Sequence, residues 1–95
     1  MARYKLSRRA ANDLDAIADY ILEDNPSRAI SFVEELTQRF ETIADFPAGF
    51  ASRDDLPADL RALVHGSYRI VYRVEDGTPY ILRILHGAQN ASDLL

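Results

Sequence analysis

Cysteine is missing from all 95 residues, which excludes a disulfide framework, a cysteine-based zinc site and a thiol nucleophile. Basic charge is also short. Eleven lysines and arginines stand against fifteen acids, for a formal net charge of −4. A protein that holds nucleic acid generically draws most of its affinity from a basic surface, so that class is disfavoured and no direct sequence-specific DNA binding is expected. No apolar run approaches the roughly 20 residues of a membrane span, and Met1 to Leu6 is too short and charged for a secretory leader. The expectation is a cytoplasmic protein without membrane contact. HExxH, GxSxG, Walker and GxGxxG patterns are absent, and neither His65 nor His86 has metal-ligand spacing, so neither a metal nor a cofactor is expected. A chain of this length makes one domain, 1–95, whose core is too small for a large buried cavity, and this moves the expected function to the surface.

What is present has clear periodicity. Arg3 to Leu6 alternates as a short edge strand that would carry Tyr4 and Leu6 toward the core. Ser7 is a good N-cap, and Ala10, Leu14, Ile17 and Ile21 then recur on one face of a helix spanning about residues 8 to 23. Asp13, Asp15, Asp19 and Glu23 fall mainly outside that face and read as a solvated side. Asn25-Pro26 stops this helix and opens a second, about residues 27 to 45, on whose apolar stripe Ala29, Val33, Leu36, Phe40 and Ile43 lie, widened by Ile30 and Phe32. The tight connection makes the two an antiparallel hairpin. Phe46-Pro47-Ala48-Gly49 ends the second helix, and Phe50 to Ala58 reads as an acidic loop.

From Leu60 to Gly87 the chain reads as three antiparallel strands, with turns at Gly66-Ser67 and Asp76-Gly77. The fold class is therefore α+β: a short N-terminal strand, then an antiparallel helical hairpin packed on one face of a small, mainly antiparallel sheet of three to four strands. Arg61, Arg69, Arg73 and Arg83 sit inside these strands, where pattern alone predicts apolar or neutral residues. If Glu75 pairs with Pro79 across a three-residue loop, Tyr68, Ile70, Tyr72, Val74, Tyr80, Leu82 and Ile84 share one uncharged face for the helices. Arg69, Val71, Arg73, Ile81, Arg83 and Leu85 then share the other, a mixed face open to a partner. A two-residue loop would mix arginines with tyrosines. Those arginines suit phosphates or acidic side chains, and His86, near Arg83 at the sheet end, adds the one group suited to proton transfer. The five tyrosines, Tyr4, Tyr20, Tyr68, Tyr72 and Tyr80, read as core packing with hydroxyls at the rim.

Leu6-Ser7 with Ala10 and Asp13-Leu14, Ile17 with Tyr20-Ile21, Asn25-Pro26 with Ala29, Phe46-Pro47 with Gly49, Leu60-Arg61, Tyr68 to Val74 and Ile84-Leu85-His86-Gly87-Ala88 together resemble the ParE branch of the RelE/ParE toxin superfamily, over nearly the whole chain. The resemblance implies the toxin of a type II toxin-antitoxin pair. In the ParE-like branch the toxin inhibits DNA gyrase by direct binding, without catalysis, and a cognate ParD-like antitoxin neutralises it in a hetero-oligomer. Arg61, Arg69, Arg73, Arg83 and His86 are then the expected antitoxin- or target-binding residues, and acidic antitoxin side chains are expected to meet Arg61, Arg69 or Arg83. The alternatives are a ribosome-dependent mRNA endonuclease of the RelE type using Arg69, Arg83 and His86, or an inactive antitoxin-binding module. The tail Ala88 to Leu95 carries no base and no tyrosine, which departs from the nuclease branch, and Gln89 stands where many ParE-like chains have arginine.

Overall fold

The helix boundaries are written in the capping residues. In the computed structural model, which describes residues 3–50 and 56–87, the Ser7 hydroxyl accepts from the Ala10 amide at 2.9 Å and opens α1, Arg8–Leu22. Asn25 accepts from the Arg28 amide at 3.1 Å and opens α2, Pro26–Asp45, with Pro26 in the first turn. Each cap satisfies an amide that the helix itself cannot, and Pro26 has no amide to satisfy. Four strands complete the order: β1 Lys5–Leu6 precedes α1, and β2 Arg61–His65, β3 Tyr68–Glu75 and β4 Thr78–His86 follow α2. They form one mixed sheet in the order β1-β4-β3-β2, with β1 parallel to β4 and the other pairs antiparallel.

The helical hairpin covers one face of this sheet. Ala10 and Ile17 of α1 and Phe32, Leu36, Phe40 and Ile43 of α2 are buried against Leu63, Ile70, Tyr72, Ile81 and Ile84. Tyr4 joins them, its ring 5.4 Å from that of Phe40. Four residues expected on the core side stay outside: Leu6, on the short outermost strand, Tyr20 at 70% exposure, Ile30 at 64%, and Val74 at 40%. Ile30 follows the buried Ala29 by one residue and so turns about 100° away from the sheet.

The strand register differs from the expected one. Glu75 pairs with Thr78, so β3 and β4 are joined by two residues, Asp76 at φ 51° and Gly77 at φ 78°. Both central residues take positive φ, as a type I′ turn demands, and Asp is among the few side chains that enter this region at low cost. Turn chemistry therefore outweighs the face pattern. Tyr80 consequently stands opposite Arg73, whose guanidinium lies 5.6 Å from its ring centroid. One strand step later the alternation is restored: Tyr72 pairs with Ile81 but Val71 pairs with Arg83, leaving Leu82 as an extra residue in a bulge. Ile81 before the bulge and Ile84 after it both reach the helical face, which stays apolar.

The opposite face is not open either. Leu56 and Leu60 fold onto Ala62, Val71 and Leu85 as a second, smaller buried cluster, with Leu82 at its margin. Leu56, from the segment expected to be plain loop, and Leu60, from the expected strand region, supply this cover because they sit four apart around the Leu60 amide to Pro57 carbonyl bond, 2.9 Å.

Substituting Gly77 by Ala tests the turn. No atom lies within 4 Å of a Cβ placed there, so the loss is one of backbone conformation alone, about 1 kcal/mol. Gly77→Asn is expected to lose less, both read as urea midpoints at unchanged slope.

Candidate functional site

The strand arginines were the sequence's candidates, and the structure gives each a different place. Arg61, at the start of β2, donates to the Phe50 carbonyl at 2.6 Å and, more weakly, to the Ala48 carbonyl at 3.5 Å. Beside it Tyr72, fully buried, donates its hydroxyl to the Pro47 carbonyl at 2.6 Å. The turn that ends α2 thus has its carbonyls held from the sheet, on the helical side. Burial pushes the Tyr72 phenol above its ordinary pKa, with the Arg61 charge opposing in part.

Arg83 forms an enclosed ion pair. Its Nε and one terminal nitrogen reach Asp13 of α1 at 2.8 and 3.0 Å, and the same carboxylate accepts the Ile84 amide at 2.9 Å. Both side chains are mostly buried, so the fork is desolvated and fixed in direction. The hydrogen bond to Asp13 is what raises the Arg83 pKa against the opposing effect of burial. Asp13 is a departure from its expected place on a solvated side. Its position was legible: Ala10, Asp13 and Ile17 are three and four apart, on the face that packs.

Arg69 is 8% exposed and faces the leucine-covered side of the sheet opposite Leu85. Arg73 keeps its Nε on Glu75 at 2.7 Å, with its side chain 39% exposed, and is the more accessible cation of that face. It joins Arg83, Arg9 and Asp59 around a shallow cleft of about 310 Å3 between the start of α1 and the 57–60 turn. His86 is exposed at the far end of β4, its ring edge-on to Tyr68 at 5.4 Å. Strand alternation puts Arg69 on one face and His86, with Tyr68, on the other. The structure therefore brings Arg73 and Arg83 to one cleft and leaves Arg61, Arg69 and His86 apart. The tail from Ala88 on, with Gln89, lies outside the described residues.

A polar cluster unforeseen in the sequence lies where β2 meets α2. His65 accepts from Arg39 Nε at 3.2 Å through Nδ1, and its Nε2 is 2.9 Å from Glu35, which also pairs with Arg28. An imidazole so placed carries its proton on Nε2 and donates it to the carboxylate. Arg28 and then His65 hold the Glu35 carboxyl below the ordinary glutamate range. Among the described residues no three histidines and carboxylates are grouped as a metal site would need, and no helix is long and apolar enough to cross a membrane.

Comparison with known proteins aligns with this architecture. Residues 4–91 match the model of the family described as the ParE toxin of type II toxin-antitoxin system, parDE. Toxin ParE1 of Caulobacter vibrioides is 36% identical over 92 residues, covering 96% of this chain and 95% of its own. Toxin RelE2 of the same organism is 40% identical over 91 residues, covering 94% and 99%. Among solved structures, a chain of the chromosomal ParDE TA system from P. aeruginosa superposes with a TM-score of 0.77 at 27% identity, over 87% of this chain and 92% of that one. The RelBE2 toxin-antitoxin complex from Mycobacterium tuberculosis shares the fold, with a TM-score of 0.54 at 24% identity over 87% and 96%.

Removing Asp13 should be felt as lost stability. Asp13→Ala leaves the Arg83 guanidinium and the Ile84 amide without this acceptor, an expected cost of about 2–4 kcal/mol. Asp13→Asn, which keeps one acceptor oxygen, should recover part of it in the same denaturation series.

Proposed function

Because the chain belongs to the ParE toxin family of type II toxin-antitoxin systems, we propose that it arrests growth by binding DNA gyrase directly and is held inactive by a ParD-like antitoxin in a hetero-oligomer. On this reading residues 1–95 act as one cytoplasmic unit whose work is contact rather than catalysis.

The observation that carries the reading is the dispersal of the candidate catalytic groups. Cleaving RNA through its 2′-hydroxyl requires a proton acceptor, a proton donor and cationic stabilisation at a single phosphate. Arg69 and His86 stand on opposite sides of the sheet, and Arg83 is tied to Asp13. Binding makes no such demand. A second reading, ribosome-dependent mRNA cleavage, is favoured by the 40% identity to a relative named RelE2.

Purified protein added to a gyrase supercoiling assay should inhibit it and accumulate cleaved DNA, while mRNA on ribosomes stays intact in primer extension. Unimpaired gyrase at large molar excess, or new cuts in the mRNA, would overturn the proposal. Growth arrest on expression without the antitoxin separates either activity from an inactive antitoxin-binding module.

The internal engagement of Arg61 and Arg83 also changes which arginine should meet antitoxin carboxylates. Charge reversal at those two would disturb the fold, whereas Arg73, among the described residues, is bound to Glu75 and the face of Tyr80. Arg73→Glu is expected to weaken antitoxin binding about tenfold through a faster off-rate, with little change in melting temperature. Unchanged affinity would remove the sheet face from the antitoxin interface.

A further inference from the structure

The bulge in β4 does more than correct the register. An extra residue breaks the alternation of the strand, so Leu82 and Arg83, neighbours in sequence, both line the shallow cleft of about 310 Å3 beside the start of α1. Arg73 reaches the same cleft from β3, Arg9 from the first turn of α1, and Asp59 from the turn opposite. Among the described residues three guanidinium groups thus line it with one carboxylate, on a chain whose net charge is −4. Two further carboxylates, which do not line the cleft, set the direction of the arginines. Glu75 holds Arg73 by Nε and a terminal nitrogen at 2.7 and 2.6 Å, and Asp13 holds Arg83 in the same way at 2.8 and 3.0 Å. A guanidinium is a rigid planar fork, so holding one edge fixes the direction of the rest. The other wall is apolar, built from Leu82, Pro57 and the buried Leu60.

We propose that this cleft binds a free mononucleotide, its phosphate on Arg9, Arg73 and Arg83 and its nucleoside against Leu60, Leu82 and Pro57. Oriented arginines match the oxygens of a phosphate, and an apolar wall beside them suits a flat ring attached to it. Size agrees, since the cleft stands at the small end of ligand pockets, roughly 300–1,000 Å3. Charge separates the free nucleotide from a nucleic-acid strand, which offers the same phosphate chemistry. One phosphate feels the local excess of arginine, whereas the further phosphates of a strand extend over an acidic molecule. Asp59 is the lining group that opposes the ligand. Among the described residues the lining includes neither Arg69 nor His86, so the proposal does not depend on RNA cleavage. It needs no gyrase either, and its failure and that of the supercoiling assay are distinct results.

The test titrates the full chain, in phosphate-free buffer at low salt, with AMP, inorganic phosphate, adenosine and a short oligodeoxyadenylate, followed by calorimetry and by amide NMR shifts. AMP should bind with a Kd of about 1 mM or tighter. Inorganic phosphate should bind more weakly, adenosine should not bind, and the oligonucleotide should bind no more tightly per site than AMP. Arg9→Gln and Arg73→Gln should each weaken AMP by at least about fivefold, Arg73→Lys by less, and Asp59→Asn should tighten it. Arg9 and Asp59 are exposed and the Arg73 side chain is 39% exposed, so melting curves should stay close to that of the parent and separate lost binding from lost folding. No binding of AMP at about tenfold that concentration, adenosine or inorganic phosphate binding as tightly as AMP, or AMP affinity unchanged in both glutamine variants would overturn the proposal. So would an oligonucleotide that binds at least about tenfold more tightly than AMP, which would make the ligand a nucleic-acid strand.

Discussion

A strand that carries an extra residue, at the edge of a sheet, must find partners for backbone groups that the ladder no longer serves. In β4 this problem falls at Leu82, where β1 has already ended and the register to β3 slips. The start of α1 supplies the answer. The Ser7 amide donates to the Ile81 carbonyl at 2.9 Å, the Ser7 hydroxyl donates to the Leu82 carbonyl at 2.8 Å, and Asp13 accepts the Ile84 amide. One helix end therefore stands in for the missing strand. Arg83 completes the arrangement by neutralising the carboxylate that does so. Each bond is worth only about 1 kcal/mol net, but burying these groups without partners would cost more. The bulge in turn keeps both Ile81 and Ile84 on the helical side, so the main core depends on it as well.

Most of the architecture was legible because its signals are local. Caps at Ser7 and Asn25, the proline at 26, the 3.6-residue periodicity and the turn at Gly66-Ser67 each act over a few residues, and none is contested by another rule. The strand register was contested. A uniform apolar face argued for a three-residue loop, whereas Asp76-Gly77 argued for two, and the sheet satisfied both by taking the short turn and then inserting Leu82. No single-strand pattern discloses such a compromise, since a bulge is defined against a neighbour. Asp13 was misplaced for a different reason: its charge was weighed above its helical position between Ala10 and Ile17.

The candidate site was less legible than the fold. Four arginines in consecutive strands suggested one cationic surface, yet Arg61 holds the end of α2, Arg83 holds α1, and Arg69 lies under the leucine cover. Arginine in a small α+β domain can serve as a long-reach joint between layers, because its fork bonds two acceptors at once. Meanwhile Asp19, one of the acids that looked like a solvated side, borders an apolar groove of the helical hairpin together with Glu34. The molecule presents a cleft with several cations on one flank and an acid-rimmed groove on another, which suits a binding protein with more than one contact surface.

The pairing of Lys5 with Tyr80, Leu6 with Ile81 and Asp13 with Arg83 joins the first elements of the chain to the last. Such distant contacts raise the contact order and delay closure, since loop entropy must be overcome before they contribute. On the ribosome the consequence is temporal. Neither the outermost strand nor the start of α1 can settle until β4 has left the exit tunnel, so the fold closes only after its last strand is free to pair.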